Sequence, residues 1–205
     1  MFRIAVLVSG RGSNLQAIIN SIENKKINAV IAVVISNVQN AFALEISRKH
    51  DIKALFVDPD KYKTREDFDQ KIIEIIKNEQ ATLICLAGFM RVLSKTFVQQ
   101  FKNRIMNIHP SLLPSFPGLK AQKKALDAGV KFGGCTVHFL DEGVDTGPII
   151  SQAVVPILDY DTVESLSKRI LKEEHRIYPI AIQAFIEQRL VCEGRKVFWE
   201  NEKKT

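Results

Sequence analysis

The sequence predicts an α/β fold: three layers, α/β/α, with helices on both faces of a Rossmann-like, mostly parallel sheet. Two observations lead to it. Short β-branched runs alternate with longer helical periods through the first half of the chain, the pattern of repeated strand-helix-strand units. The 205 residues are 46% hydrophobic and 25% charged, the composition of an ordinary globular domain and not of a disordered, collagenous or coiled-coil chain. Cys85, Cys135 and Cys192 are odd in number and far apart, which argues against a disulfide framework or a zinc site and for a reducing compartment. A chain of this length buries about 70% of its unfolded surface and can rest on its core alone. With no repeat, linker or low-complexity tract, residues 1–205 read as a single domain.

Strands are predicted at 3–9, 29–36, 53–57, 82–86 and 104–109, and helices at 14–24, 41–50, 64–78 and 94–102. The third helix carries the clearest signals: Thr64 can cap it, Asp67 follows three residues on, and Phe68, Ile72, Ile75 and Ile76 form an apolar stripe. After His109 the character changes. Pro110, Pro114, Pro117 and Gly118 punctuate an irregular loop, a candidate mobile lid, before a short helical pattern at 119–128. Strands at 135–140 and 149–156 flank the turn-rich 141–148, and a long helix at 162–187 is expected to kink at Pro179, where an amide donor is lost.

Lys and Arg number 29 against 23 acids, giving a net charge of +6. The excess is scattered. Its densest stretches, Lys120 with Lys123 and Lys124, and Lys203 with Lys204, are not interleaved with aromatics as in single-strand nucleic-acid binders. They read as a solvated basic surface that helps draw in a phosphorylated metabolite, with no nucleic-acid partner. The apolar run at 4–8 is too short for a signal peptide or a membrane span, so the expectation is a cytoplasmic protein with no membrane partner. No HExxH pair, Gly-x-Ser-x-Gly elbow or metal-ligand spacing occurs, so no metal is expected.

Three motifs can carry chemistry. Ser9-Gly10-Arg11-Gly12-Ser13-Asn14 lies between the first strand and the first helix, where glycines turn the backbone sharply and the helix N-terminus offers free amides to an anion. Leu15 stands in place of the third glycine of the dinucleotide fingerprint and no Walker lysine follows, so a monophosphate suits it better than a pyrophosphate. The alternative is a plain tight turn with Ser13 or Asn14 capping the helix. The second is Asn107-Ile108-His109-Pro110 at the end of the fifth strand. A spacing of two puts Asn107 and His109 on one face, an amide donor beside a titratable imidazole, where a satisfied strand-end histidine is the competing reading. The third is Asp141-Glu142-Gly143-Val144-Asp145-Thr146-Gly147-Pro148, an acidic turn that can supply a carboxylate to His109, or simply be a solvated turn. His50 at a helix end and His138 within a strand carry no signal of their own.

Together these segments resemble the folate-dependent glycinamide ribonucleotide formyltransferases. The resemblance runs from the first strand to the last helix, through 8–16, Leu86-Ala87-Gly88-Phe89-Met90-Arg91-Val92-Leu93, Asn107-Ile108-His109-Pro110-Ser111-Leu112-Leu113-Pro114 and Asp145-Thr146-Gly147-Pro148. Methionyl-tRNA formyltransferases and formyltetrahydrofolate hydrolases carry an extra domain for which 205 residues leave no room. One departure is Lys120, where family members often have histidine. The resemblance implies Asn107, His109 and Asp145 as the catalytic trio and 10-formyltetrahydrofolate as formyl-donor cosubstrate. It implies Gly12, Ser13, Asn14, Leu171, Lys172, Glu173 and Glu174 as residues holding the phosphorylated ribonucleotide. It also implies Arg65, Met90, Arg91, Val92, Leu93, Asn107 and the stretch Leu140, Asp141, Glu142, Gly143, Val144 and Asp145 as folate contacts. The N-terminal half would then serve phosphate binding and the C-terminal half folate, in a monomer or a homodimer.

Overall fold

The computed structural model describes residues 1–200. The chain divides into two compact units, Met1–Asn107 and the residues from Ile108 onward.

The first unit alternates strand and helix: β1 Phe2–Val8, α1 Ser13–Glu23, β2 Ala29–Ser36, α2 Phe42–Lys49, β3 Ala54–Phe56, α3 Arg65–Asn78, β4 Leu83–Leu86, α4 Lys95–Gln100 and β5 Ile105–His109, whose last two residues pass into the second unit. Its strands lie in the order β3-β2-β1-β4-β5, and every ladder among them is parallel. β1 sits at the centre, and Ile4, Ala5, Val6, Leu7 and Val8 are wholly buried, as a parallel strand covered on both faces requires. The helices bury single stripes: Leu15, Ile18 and Ile19 from α1, and Phe68, Ile72, Ile73 and Ile76 from α3. Each such side chain contributes about 1.5 to 3 kcal/mol by leaving water. β2 lies on one side of β1 and β4 on the other, so the chain reverses its winding at β1. The loops leaving β1 and β4 therefore meet at a topological switch point, where open α/β sheets bind ligands.

The second unit is built on the antiparallel pair β6 Phe132–Phe139 and β7 Ile149–Pro156, with α5 Ala121–Asp127 before it and the long α6 Val163–Ile186 after it. α6 packs on β6 and β7 through the stripe that includes Leu166, Ile170, Tyr178, Ala181 and Ile182, all nearly or wholly buried. At its start, Thr162 and Ser165 cap each other, and Asp161 accepts hydrogen bonds from Arg169, Ser165 and the Leu158 amide.

The predicted elements of the first half appear in order, with ends moved by one or two residues. Thr64 accepts from the Asp67 amide and so caps α3 as its sequence implies. Three details differ. α1 starts at Ser13 behind Gly12, and neither Ser13 nor Asn14 caps it, because the left-handed turn at Gly12 itself ends the loop. β6 begins at Phe132, since Gly133 and Gly134 pair with Val155 and Val154 of β7 where their lack of side chains had masked a strand. A C-terminal hairpin, β8 Leu190–Glu193 and β9 Lys196–Trp199, follows the last predicted helix. Its strands are only four residues long and partly charged. β9 pairs with β7, and the Trp199 indole N–H donates to the Ile150 carbonyl at 2.9 Å.

Candidate active site

The loop after β1 is held from several directions. Gly12 adopts φ +78°, and a Cβ built there would lie 2.8 Å from Ala43 Cβ and 2.9 Å from its Cα, so the backbone runs flush against α2. The Ala43 amide donates to the Gly10 carbonyl, and Ser9 Oγ bridges Asn37 Oδ1 and the Met90 amide. This ties the loops after β1, β2 and β4 together. The first turn of α1 carries no acidic residue and no side-chain cap, so its amides and its positive dipole end suit a negative group. Ser13 is half-buried and Asn14 buried beside it.

After β4, Met90 and Val92 are exposed, Arg91 partly so, and Leu93 is buried. The Arg91 guanidinium lies 4.8 Å from the Phe68 ring centroid, and Arg65 is exposed at the first residue of α3. Apolar surface beside two cations fits a flat ring system that ends in carboxylates.

Asn107 pairs with Leu86 in the β4–β5 ladder, and His109 lies two residues further along the same strand. Within the second unit, His109 Nδ1 is 3.3 Å from Asp145 Oδ2 and its Nε2 is 3.0 Å from the Phe116 carbonyl. A carboxylate and a carbonyl both accept, so each ring nitrogen faces an acceptor. His109 is 5% exposed, which makes these two contacts its main environment. Asp145 is held as firmly. Its Oδ2 accepts from the Gly118 amide at 2.7 Å, and His138 Nε2 lies 3.7 Å from Oδ1. Its backbone takes φ +55°, a left-handed conformation that aspartate tolerates better than most residues.

The proline-rich loop, the candidate lid, is tied down at both ends. Thr136 Oγ1, buried on β6, donates to the Ser111 carbonyl and accepts from the Leu113 amide, while Gln152 Nε2 donates to Leu113 O and Thr136 Oγ1. Ser111 Oγ reaches the Ser115 and Phe116 carbonyls. Lys124 Nζ donates to Pro117 O at 2.7 Å, and Lys120 opens α5 in a left-handed conformation. This network fixes the carbonyl that His109 faces.

The acidic loop is a built turn: Asp141 Oδ1 accepts from the Gly143 amide and from Thr146 Oγ1, while Val144 is exposed. On α6, Lys172 is exposed, Leu171 half-buried, Glu173 ion-paired with Arg176, and Glu174 buried. The two glutamates face Cys135, whose thiol is pushed up to about 12 by burial and then by their charge.

Thus within the second unit the structure unites His109 with Asp145, while Gly12, Ser13 and Asn14 form one loop of the first unit and Arg91 lies over Phe68, which follows Arg65 by three residues on α3. Sequence reasoning missed His138, Thr136 and the Phe116 carbonyl. Burial pushes the His138 imidazole toward its neutral form while Asp145 pulls the other way. Thr136 and His138 alternate on β6 and both are buried. Two polar residues at period two inside an apolar strand were the available signal. Among the described residues no group of three His, Cys, Asp or Glu is placed to hold a metal ion, and no helix is long and apolar enough to cross a membrane.

The sequence profile of the formyl transferase family matches residues 2–182, and the chain belongs to that family. Its relatives include a phosphoribosylglycinamide formyltransferase of Bacillus subtilis, 40% identical over 91% of this chain and 95% of that protein. A crystal structure of glycinamide ribonucleotide transformylase 1 from Symbiobacterium toebii superposes with a TM-score of 0.97 at 53% identity, over 98% of this chain and 95% of that one. The trifunctional purine biosynthetic protein adenosine-3 of Drosophila melanogaster is 48% identical over 90% of this chain, which spans only 14% of that much longer protein. Within the family, the chain belongs with the phosphoribosylglycinamide formyltransferases, and its α/β fold is theirs.

Proposed function

We propose that this chain transfers the formyl group of 10-formyltetrahydrofolate to the amine of N1-(5-phosphoribosyl)glycinamide, giving formylglycinamide ribonucleotide and tetrahydrofolate in de novo purine biosynthesis. The observation that carries the reading is the buried His109, set between the Asp145 carboxylate and the Phe116 carbonyl two residues past Asn107 on β5.

The substrate amine attacks the formyl carbon, a tetrahedral oxyanion forms, and the bond from carbon to the folate nitrogen breaks. The amine loses one proton and the folate nitrogen gains one. Asn107 donates its amide N–H to the oxyanion. The His109 Nε2–H exchanges the neutral Phe116 carbonyl for the negative oxygen, a bond stronger in the transition state than in the ground state. Asp145 supplies the counter-charge to the imidazolium and, with His109, passes the proton toward the leaving nitrogen. Gly12, Ser13 and Asn14 bind the phosphate. Leu171, Lys172, Glu173 and Glu174 serve the ribose and glycinamide, with Glu173 exchanging Arg176 for substrate. Arg65, Met90, Arg91, Val92 and Leu93, with 140–145, hold the folate. No covalent intermediate with the enzyme and no metal is invoked.

The test is release of the deformylated folate, followed by absorbance, with the ribonucleotide added or omitted. Release only in its presence supports the transferase. Equal release in both would make the chain a hydrolase, and none in either would end the formyl-transfer reading.

A further inference from the structure

We infer that Asp69 is a positioning residue for the formyl donor: from inside α3 it holds the segment 90–93 in place and so sets where Arg91 meets the acidic end of that substrate. The inference rests on the proposed donor contacts of Arg65 and Arg91 and assigns a role to a residue outside them.

Asp69 is 2% exposed, an uncommon place for a carboxylate, and among the described residues no direct ion pair compensates it. Its Oδ2 accepts from the Ser94 amide, and it also accepts from the Ser94 hydroxyl. Ser94 Oγ in turn accepts from the Phe97 amide and caps α4. One buried carboxylate thus fixes both the end of the segment after β4 and the start of the helix that follows. Burial pushes the Asp69 carboxyl above its ordinary range, while the Ser94 bonds and the nearby charges of Arg65 and Arg91 pull it down.

The two arginines are placed by the same few residues. Arg65 starts α3, one turn before Asp69, and Arg91 lies over the ring of Phe68, the residue preceding Asp69. Arg91 is three residues from Ser94, so freeing Ser94 from α3 frees Arg91 from its seat on Phe68. A buried hydroxyl or amide could satisfy one N–H at less desolvation cost. The acid accepts from both Ser94 groups at once, and its carboxylate is attracted to the charges of both Arg65 and Arg91.

The test compares Asp69→Ala with Asp69→Asn, whose amide oxygen still accepts from Ser94. Both are assayed with the 10-formyl donor carrying its glutamyl tail and with a donor truncated before the glutamate. With the full donor, Asp69→Ala should raise the donor KM by about tenfold or more while kcat and the ribonucleotide KM stay near wild type, since ångström-scale misplacement has costs of this order. Asp69→Asn should stay within about threefold of wild type. With the truncated donor, wild type and Asp69→Ala should have the same KM. A parallel loss of kcat and of both KM values in Asp69→Ala, or a KM loss that persists with the truncated donor, would reduce Asp69 to a general structural role and overturn the inference. Wild type indifferent to the glutamyl tail would remove the arginine contact itself. No turnover by wild type with the full donor would bring down the proposed function, and the inference with it.

Discussion

Gly12→Ala is the sharpest probe of the loop after β1. Two costs add at that position. Alanine at φ +78° gives up about 1 to 2 kcal/mol because its Cβ meets the following carbonyl. The same Cβ would stand 2.8 Å from Ala43 Cβ and 2.9 Å from the Ala43 backbone, and overpacking of this kind costs about 1 to 3 kcal/mol. A sum of about 3 kcal/mol lowers Tm by roughly 6 to 12 °C in a chain of this size. Two controls separate the terms. Gly88 shares φ +78° but has open space around its Cβ, so Gly88→Ala should show the conformational cost alone. Gly10 has open space and no left-handed backbone, so Gly10→Ala should stay within about 0.5 kcal/mol. Urea unfolding of the three variants gives the ranking directly, and the ribonucleotide KM of any Gly12→Ala protein that folds should rise, because the first turn of α1 moves with the loop. If Gly12→Ala were as mild as Gly10→Ala, the flush contact with α2 would not exist as described.

Asn107→Ala should lose on the order of a hundredfold in kcat, the usual cost of one oxyanion donor, about 3 to 4 kcal/mol, and near-normal turnover would remove Asn107 from the mechanism. Ser13→Asp, which puts a negative charge into the phosphate loop, should raise the ribonucleotide KM and leave the donor KM almost unchanged; equal losses in both would give the loop another job. Asp161 is held below the ordinary carboxylate range by Arg169, the Leu158 amide and Ser165. Its contribution to stability is therefore full above about pH 4 and is lost as pH falls below that value. Asp161→Asn should lower Tm at neutral pH and flatten its fall between about pH 4 and 2, and an unchanged acid limb would show that the cluster is not coupled to folding.

The first half of the fold was legible because each strand of a parallel sheet is an unbroken apolar run and each helix carries its own stripe and stop. Thr64 and Asp67 show how local such signals are. The C-terminal hairpin was not legible, since what fixes it is the ladder of β9 with β7 and the bond from Trp199 to Ile150, far away in sequence. The same division runs through the candidate site. Spacing offers Asn107 and His109 and the turn offers an acid, while only the resemblance singles out these two with Asp145 as a trio. Neither signal reaches the groups around them. The Phe116 carbonyl is backbone, so its place depends on a proline-rich path pinned by Thr136 and Gln152, and no residue type encodes it. His138 looks like any strand histidine until the fold lays Asp145 against it. Asp69 looks like a polar residue on the outer face of a helix, because the amide it serves belongs to the segment after β4.

Asp145 joins two requirements in one residue: a carboxylate for the histidines and a backbone in the left-handed region. Asparagine and glycine satisfy the second without the first. Random change at this codon will therefore be filtered unevenly. Valine or isoleucine would strain the turn, and such proteins would be cleared by the cell as poorly folded. Asparagine or glycine would keep the turn and, on the proposed mechanism, leave an abundant protein with little catalytic power. In a population of variants, expression level would then be a poor guide to formyl transfer at position 145 on the proposed mechanism, and an assay of that transfer would find losses there that a screen for folded protein passes over.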